Sequence, residues 1–133
     1  MLHSKHITLT HGATESTATN TKFLVNQGVI YRVWVVFPPG CAGLVKVRIY
    51  HEGHPFLPVD EGAFLRGDAY IYEFPVMHEI TDAPELITIK AWNEDDIYDH
   101  TIDVLFLIIP KEWVQPVGAY GGIIAALKSI FQR

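Results

Sequence analysis

His51-Glu52-Gly53-His54 is the stretch of this chain nearest to a metal-binding motif. Two imidazoles can share an ion only if both rings face it, and the zincin motif achieves this with histidines four apart on a helix. Here the two are three apart, beside Gly53 and Pro55, and both of those residues oppose a helix. A turn could still present both rings, with His100 or His78 as a third ligand. Loop histidines are more commonly solvated, so neither a metal site nor a cofactor is expected. The second candidate is acidic. Asn93, Glu94, Asp95 and Asp96 with Asp99 supply the hard oxygens that calcium prefers. The EF-hand alternation with its central glycine is missing, however, and a plain turn explains Asn and Asp equally well.

Catalytic constellations are absent. Asp99-His100 and His78-Glu79 are neighbours in sequence, but adjacent residues of a strand point to opposite faces and do not form a dyad. Nucleophile elbows, phosphate loops and Cys-His pairs do not occur. Ser4, Ser16 and Ser129 fall in a terminus, a soft loop and a tail. Cys41, the single cysteine, follows Pro38-Pro39-Gly40 with no cation nearby to lower its pKa. The chain is expected not to be an enzyme, and no catalytic residue is assigned. Trp34, Trp92, Tyr70 and Tyr72 could stack sugars, which keeps a carbohydrate-binding module, calcium-assisted or not, as the alternative reading. Aromatic residues in alternating strands more often fill a core or an interface.

The elements that must carry these groups are strands. Ile87, Ile89 and Ala91 alternate with Thr88, Lys90 and Trp92, and Ile102, Val104, Phe106 and Ile108 alternate with Asp103 and its neighbours. The segment Pro84 to Pro110 therefore reads as two strands around an acidic turn, expected to pair as a β-hairpin. Upstream, Ile7 and Leu9 mark a short first strand, and Lys22 to Val25 another. Val29 to Phe37 is apolar on both faces, as a central strand would be. Leu44 to Tyr50 puts Val45, Val47 and Ile49 inward and Lys46 and Arg48 outward. Tyr70, Tyr72 and Phe74 share a face of a strand expected to stop at Pro75. Between them, His51 to Asp68 reads as a long connection, and such connections are often functional.

Composition limits the options. A chain of 133 residues with 49% apolar content forms one globular core. The formal charge is −5, and from Val59 to Asp103 only Arg66 and Lys90 offset the acidic residues, which disfavours a nucleic-acid partner. A lone cysteine allows no intrachain disulfide. The start, MLHSKHITLT, lacks the apolar core of a signal peptide, so synthesis in the cytoplasm is expected. Trp113 to Leu127 is too short and glycine-rich for a membrane span.

The tail differs in kind. Gly118 to Gly122 reads as a hinge, and Ile123, Leu127, Ile130 and Phe131 form an apolar stripe at helical spacing over residues 123–131, with Ile124 beside it. So short a helix needs a surface to dock on, its own sandwich or a neighbouring subunit.

VKVRIYHEGHPFLPVDEGAFLRGDAYIYEF and the following IKAWNEDDIYDHTIDVLFLIIP resemble small β-sandwich accessory proteins of tailed-phage and other viral particles, across about the middle two-thirds of the chain. The resemblance implies a protein that coats or joins particle components and carries over no site residue. The expected architecture is an all-β antiparallel sandwich, jelly-roll or immunoglobulin-like, over 1–112, with a hinged helical tail over 113–133. The expected role is that of a virion decoration or accessory subunit, with copies of itself and other particle proteins as partners. Two contact sets are expected: Ile123, Ile124, Leu127, Ile130 and Phe131 in the tail, and His54, Phe56, Leu57 and Phe64 in the long connection.

Overall fold

Burying one face of every alternating run requires two sheets laid face to face, and that is the arrangement found. The structure, a computed structural model, describes residues 1–114. Its strands are β1 (Leu2–Leu9), β2 (Thr19–Val25), β3 (Val29–Phe37), β4 (Val45–His51), β5 (His54–Leu57), β6 (Leu65–Arg66), β7 (Tyr70–Glu79), β8 (Glu85–Asn93) and β9 (His100–Ile109). A short 3-10 turn occupies Glu15–Thr17, and a four-residue helix, α1, spans Lys111–Val114. The helical run expected at 123–131, and the contact set on it, lie outside the described residues.

One sheet runs β1-β9-β3-β7 and the other β2-β8-β4-β5, with β6 also on β4; every pairing is antiparallel. Apart from β6, the pairs are first with last, second with next-to-last, and so inward to β4 with β5. A long hairpin rolled up so that successive pairs fall on alternate sheets gives this order. It is the jelly-roll solution, in place of the immunoglobulin-like alternative.

That wrapping corrects the expected hairpin. β8 pairs with β2 and β4, whereas β9 pairs with β1 and β3. Their alternation was legible, but alternation does not distinguish two strands side by side, about 4.8 Å apart, from two strands facing each other across about 10 Å. The acidic segment spans the sandwich edge. Asn93, fully buried, anchors it by donating from Nδ2 to the Leu9 carbonyl at 3.2 Å and the Tyr98 carbonyl at 2.9 Å.

The interior joins Val33, Val35, Val104 and Phe106 of the first sheet to Val45, Val47, Ile87 and Ile89 of the second, all essentially inaccessible. β3 is central, as its two apolar faces require. β7 runs past Pro75 to Glu79 because it is an edge strand, where a missing N–H on the open side breaks no ladder bond. The long connection is not structureless, since β5 and β6 cover successive halves of the outer edge of β4. Lys46 and Arg48 lie on the outer face but are buried. Lys46 Nζ donates to the Gly43 carbonyl at 2.8 Å and sits over the Phe64 ring, while Arg48 lies over Tyr50.

Gly28, at φ +103, turns the chain from β2 into β3, and a Cβ there would lie 2.7 Å from the Ile109 carbonyl oxygen. Gly28→Ala therefore combines backbone strain with a clash against main chain. It is expected to lower the unfolding free energy by about 2 kcal/mol in a urea titration.

Candidate functional site

Two regions stand out, one polar and enclosed, the other apolar and open. In the first, His51 ends β4 and Glu85 begins β8, both in one sheet, while His78 comes from edge strand β7 of the other. Glu85 is 4% exposed, and no carboxylate is buried without partners for its charge. Its Oε1 accepts from His51 Nε2 and, at 3.0 Å, from His78 Nε2; its Oε2 accepts the Thr81 and Asp82 amides at 2.9 and 3.1 Å. Burial alone would raise its pKa, but the bonds from His78, the Asp82 amide, His51 and the Thr81 amide together outweigh it and hold the carboxyl at about 2. The imidazoles meet edge to face with centroids 4.4 Å apart, and the Phe56 ring closes over both at 5.8 and 5.7 Å. The ligand atoms of all three residues lie within 4.8 Å of one another.

His51 and His78 were both legible as candidate ligands. Glu85 was not, because it sits 34 residues from His51 and only the wrapping of β8 against β4 brings them together. His54 is exposed on β5, and His100 lies elsewhere, its Nε2 2.9 Å from Asp95 Oδ2.

The acidic turn spends its oxygens internally. Asp95 accepts from the Ile97 and Tyr98 amides and from His100, and Asp99 from the amide and ring of His11. The Ile97 amide, followed by His100 and the Tyr98 amide, holds the Asp95 carboxyl at about 2. Trp92, 2% exposed, is closed to sugar stacking; its Nε1 donates to Glu94 at 2.7 Å. Tyr70 remains exposed, edge-on to Tyr72. Of the expected contact set in the connection, Phe56 and Leu57 pack against the core, whereas His54 and Phe64 stay exposed. These four do not form one surface, since Phe64 sits against Trp92 and Lys46 on the outer face and Phe56 lies over the histidines.

The second region is the outer face of the β1-β9-β3-β7 sheet. Its rows are Leu2, Leu107, Arg32 and Pro75; then Ser4, Leu105, Trp34 and Glu73; then His6, Asp103, Val36 and Ile71. Leu2 and Ile71 are 54% and 60% exposed, and Trp34, Val36, Leu105 and Leu107 are half-buried among them. The Arg32–Glu73 ion pair and the His6–Asp103 hydrogen bond stand among these rows. The solvated face of an antiparallel sheet is ordinarily polar. An exposed apolar patch of this kind, interrupted by Arg32 and Asp103 on the two central strands, is a candidate interaction surface. The signal available in the sequence was apolar residues at outward positions, Trp34, Val36, Leu105 and Leu107, although Arg32 and Asp103 interrupt them and the two apolar faces of Val29 to Phe37 read as the mark of a central strand.

No family model and no curated protein matches the chain. Among solved structures, a chain titled as part of the cyanophage Pam1 capsid asymmetric unit is similar in fold, with TM-score 0.52 and 11% identity over 80% of this chain and 81% of that one. A structure titled FLHE matches with TM-score 0.35 and 10% identity over 79% of this chain and 91% of that one, too distant for a structural argument. What the first comparison adds is architecture: a jelly-roll sandwich of a kind found in a phage capsid. No helix among the described residues is long and apolar enough to cross a membrane.

Proposed function

We propose that this chain is a non-enzymatic structural subunit of a viral particle, a decoration or accessory protein that associates with its own copies and docks on a larger assembly. The observation that carries the reading is the outer face of the β1-β9-β3-β7 sheet, where Leu2 with Leu107, Leu105 with Trp34, and Val36 with Ile71 form apolar neighbour pairs outside the core. The fold shared with the cyanophage capsid chain supports the same reading. The apolar tail residues Ile123, Ile124, Leu127, Ile130 and Phe131 serve in this reading as a second contact set, and exposed His54 and Phe64 as further, separate points of contact with the particle.

Full-length protein in sedimentation velocity is expected to associate with rising concentration. Leu107→Lys combined with Ile71→Lys, two charges on a face outside the core, is expected to weaken association at least about tenfold, a loss of about 1.4 kcal/mol in all, with unchanged thermal stability. A wild-type chain that stays monomeric at hundreds of micromolar would overturn the reading.

A further inference from the structure

The His51, His78 and Glu85 cluster has a chemistry that a hydrogen-bonded strut does not need. A buried carboxylate can be satisfied by one imidazole and two amides, yet here two imidazoles bring Nε2 to the same carboxylate oxygen. We propose that this cluster is a site for a zinc-class divalent cation, held by Nε2 of His51, Nε2 of His78 and Oε1 of Glu85, with water in the fourth position. This inference is independent of the particle role.

Four features favour the site. The donor set, two imidazole nitrogens and one carboxylate oxygen, is the borderline mixture that zinc takes in preference to calcium or magnesium. Tetrahedral zinc with bonds of about 2.0–2.1 Å separates its ligand atoms by about 3.4 Å, and here all three fall within 4.8 Å, with His78 Nε2 and Glu85 Oε1 3.0 Å apart. Small ring rotations open that spacing. The amides of Thr81 and Asp82 already hold the other carboxylate oxygen, so Glu85 is oriented by its surroundings as metal-ligating carboxylates are. Phe56 covers both rings and shields the cluster on one side. On binding, each ring ligates as the neutral Nδ1–H tautomer: the Nε2 proton leaves, either to solvent from a ring already protonated at Nδ1 or by exchange through solvent to Nδ1. The cation takes the place where the Nε2 protons met, and the carboxylate ligates in its ionised form.

Such an ion joins strands of different sheets. His78 lies on edge strand β7, and His51 and Glu85 lie on β4 and β8 opposite. Bound metal would clamp the open edge of the sandwich, a structural use with no reaction attached.

Isothermal titration calorimetry of the full-length, chelator-stripped protein with zinc chloride tests this. One equivalent is expected to bind in the low micromolar range or tighter, with calcium and magnesium giving no comparable heat, and melting is expected to rise by several degrees with zinc. His78→Gln keeps a donor toward Glu85 but removes the ligand nitrogen, and His51→Gln does the same from the other sheet. Each is expected to weaken zinc binding about 100-fold or more, while His54→Gln leaves it unchanged. Circular dichroism of the apo variants separates lost binding from lost folding, and cobalt(II) in place of zinc should show the strong visible bands of a tetrahedral site. Absence of zinc binding in the wild type would overturn the proposal. So would zinc binding unaffected by His51→Gln and His78→Gln, which would identify other surface histidines as the ligands.

Discussion

Glu85→Ala is expected to cost about 3 kcal/mol of folding free energy, read from urea unfolding at neutral pH without added metal. The buried side chain accepts four hydrogen bonds, two from imidazoles and two from the amides that turn the chain from β7 into β8. Truncation leaves those donors facing a gap. Glu85→Gln is expected to fall between, since one carbonyl oxygen cannot serve four donors and the new NH2 faces amides that also donate. A loss below about 1 kcal/mol for the alanine variant would mean that the cluster contributes little to the fold.

The same carboxylate sets a direction for acid sensitivity. Its pKa falls from an ordinary 4.5 to about 2 on folding, so the unfolded chain binds the proton first as pH drops. The stabilisation is complete above about pH 4.5 and disappears as pH falls toward 2. Its size is on the order of 2 kcal/mol once solvent screening is allowed for. Asp95 and Asp99, both with depressed pKa values, act in the same direction in the same acid range. The stability difference between wild type and Glu85→Ala should therefore narrow as pH is lowered from 4.5 to 2, and a constant difference would contradict the assignment.

How much of this was readable in advance divides along physical lines. Strand positions were legible because burial on one face writes itself into every second residue, as at Val45, Val47 and Ile49. Strand partners were not legible, and the apparent hairpin at 84–110 shows why. Ile87 and Ile102 face one core from opposite sheets, and two facing strands carry the same alternation as two neighbouring ones. The polar cluster was half legible for the same reason. His51 and His78 are recognisable in the sequence as candidate ligands, but their common partner depends on which strand lands opposite β7. The burial of Lys46 and Arg48 was hidden as well, because it depends on the Phe64 and Tyr50 rings meeting their charged ends. The apolar outer face was missed for another reason: the second apolar face of Val29 to Phe37 reads as that of a central strand, and only the sheet order shows that Trp34, Val36, Leu105 and Leu107 lie on an uncovered face among the described residues.

Phe106→Ala is expected to have the largest effect of any single truncation considered, about 4 kcal/mol. Phe106 is fully buried at the middle of β9, between the register partners His3 on β1 and Val33 on β3. Its ring meets Phe23 of the opposite sheet edge to face, centroids 5.0 Å apart, and His3 stacks on Phe23 at the same distance. Removing it therefore opens a cavity and also loosens the contact between the β1 and β2 edges that Phe23 bridges. Backbone pairing on both sides of β9 prevents the strand from collapsing inward to fill the space, so the cost belongs near the upper part of the range for such truncations. Against a total stability of about 5–15 kcal/mol, a loss of this size lowers the melting temperature by about 15 °C. Phe106→Leu, which retains most of the volume, should recover more than half of it. Equal melting temperatures for the alanine and leucine variants would show that the edge-to-face contact, rather than the filled space, is what Phe106 contributes.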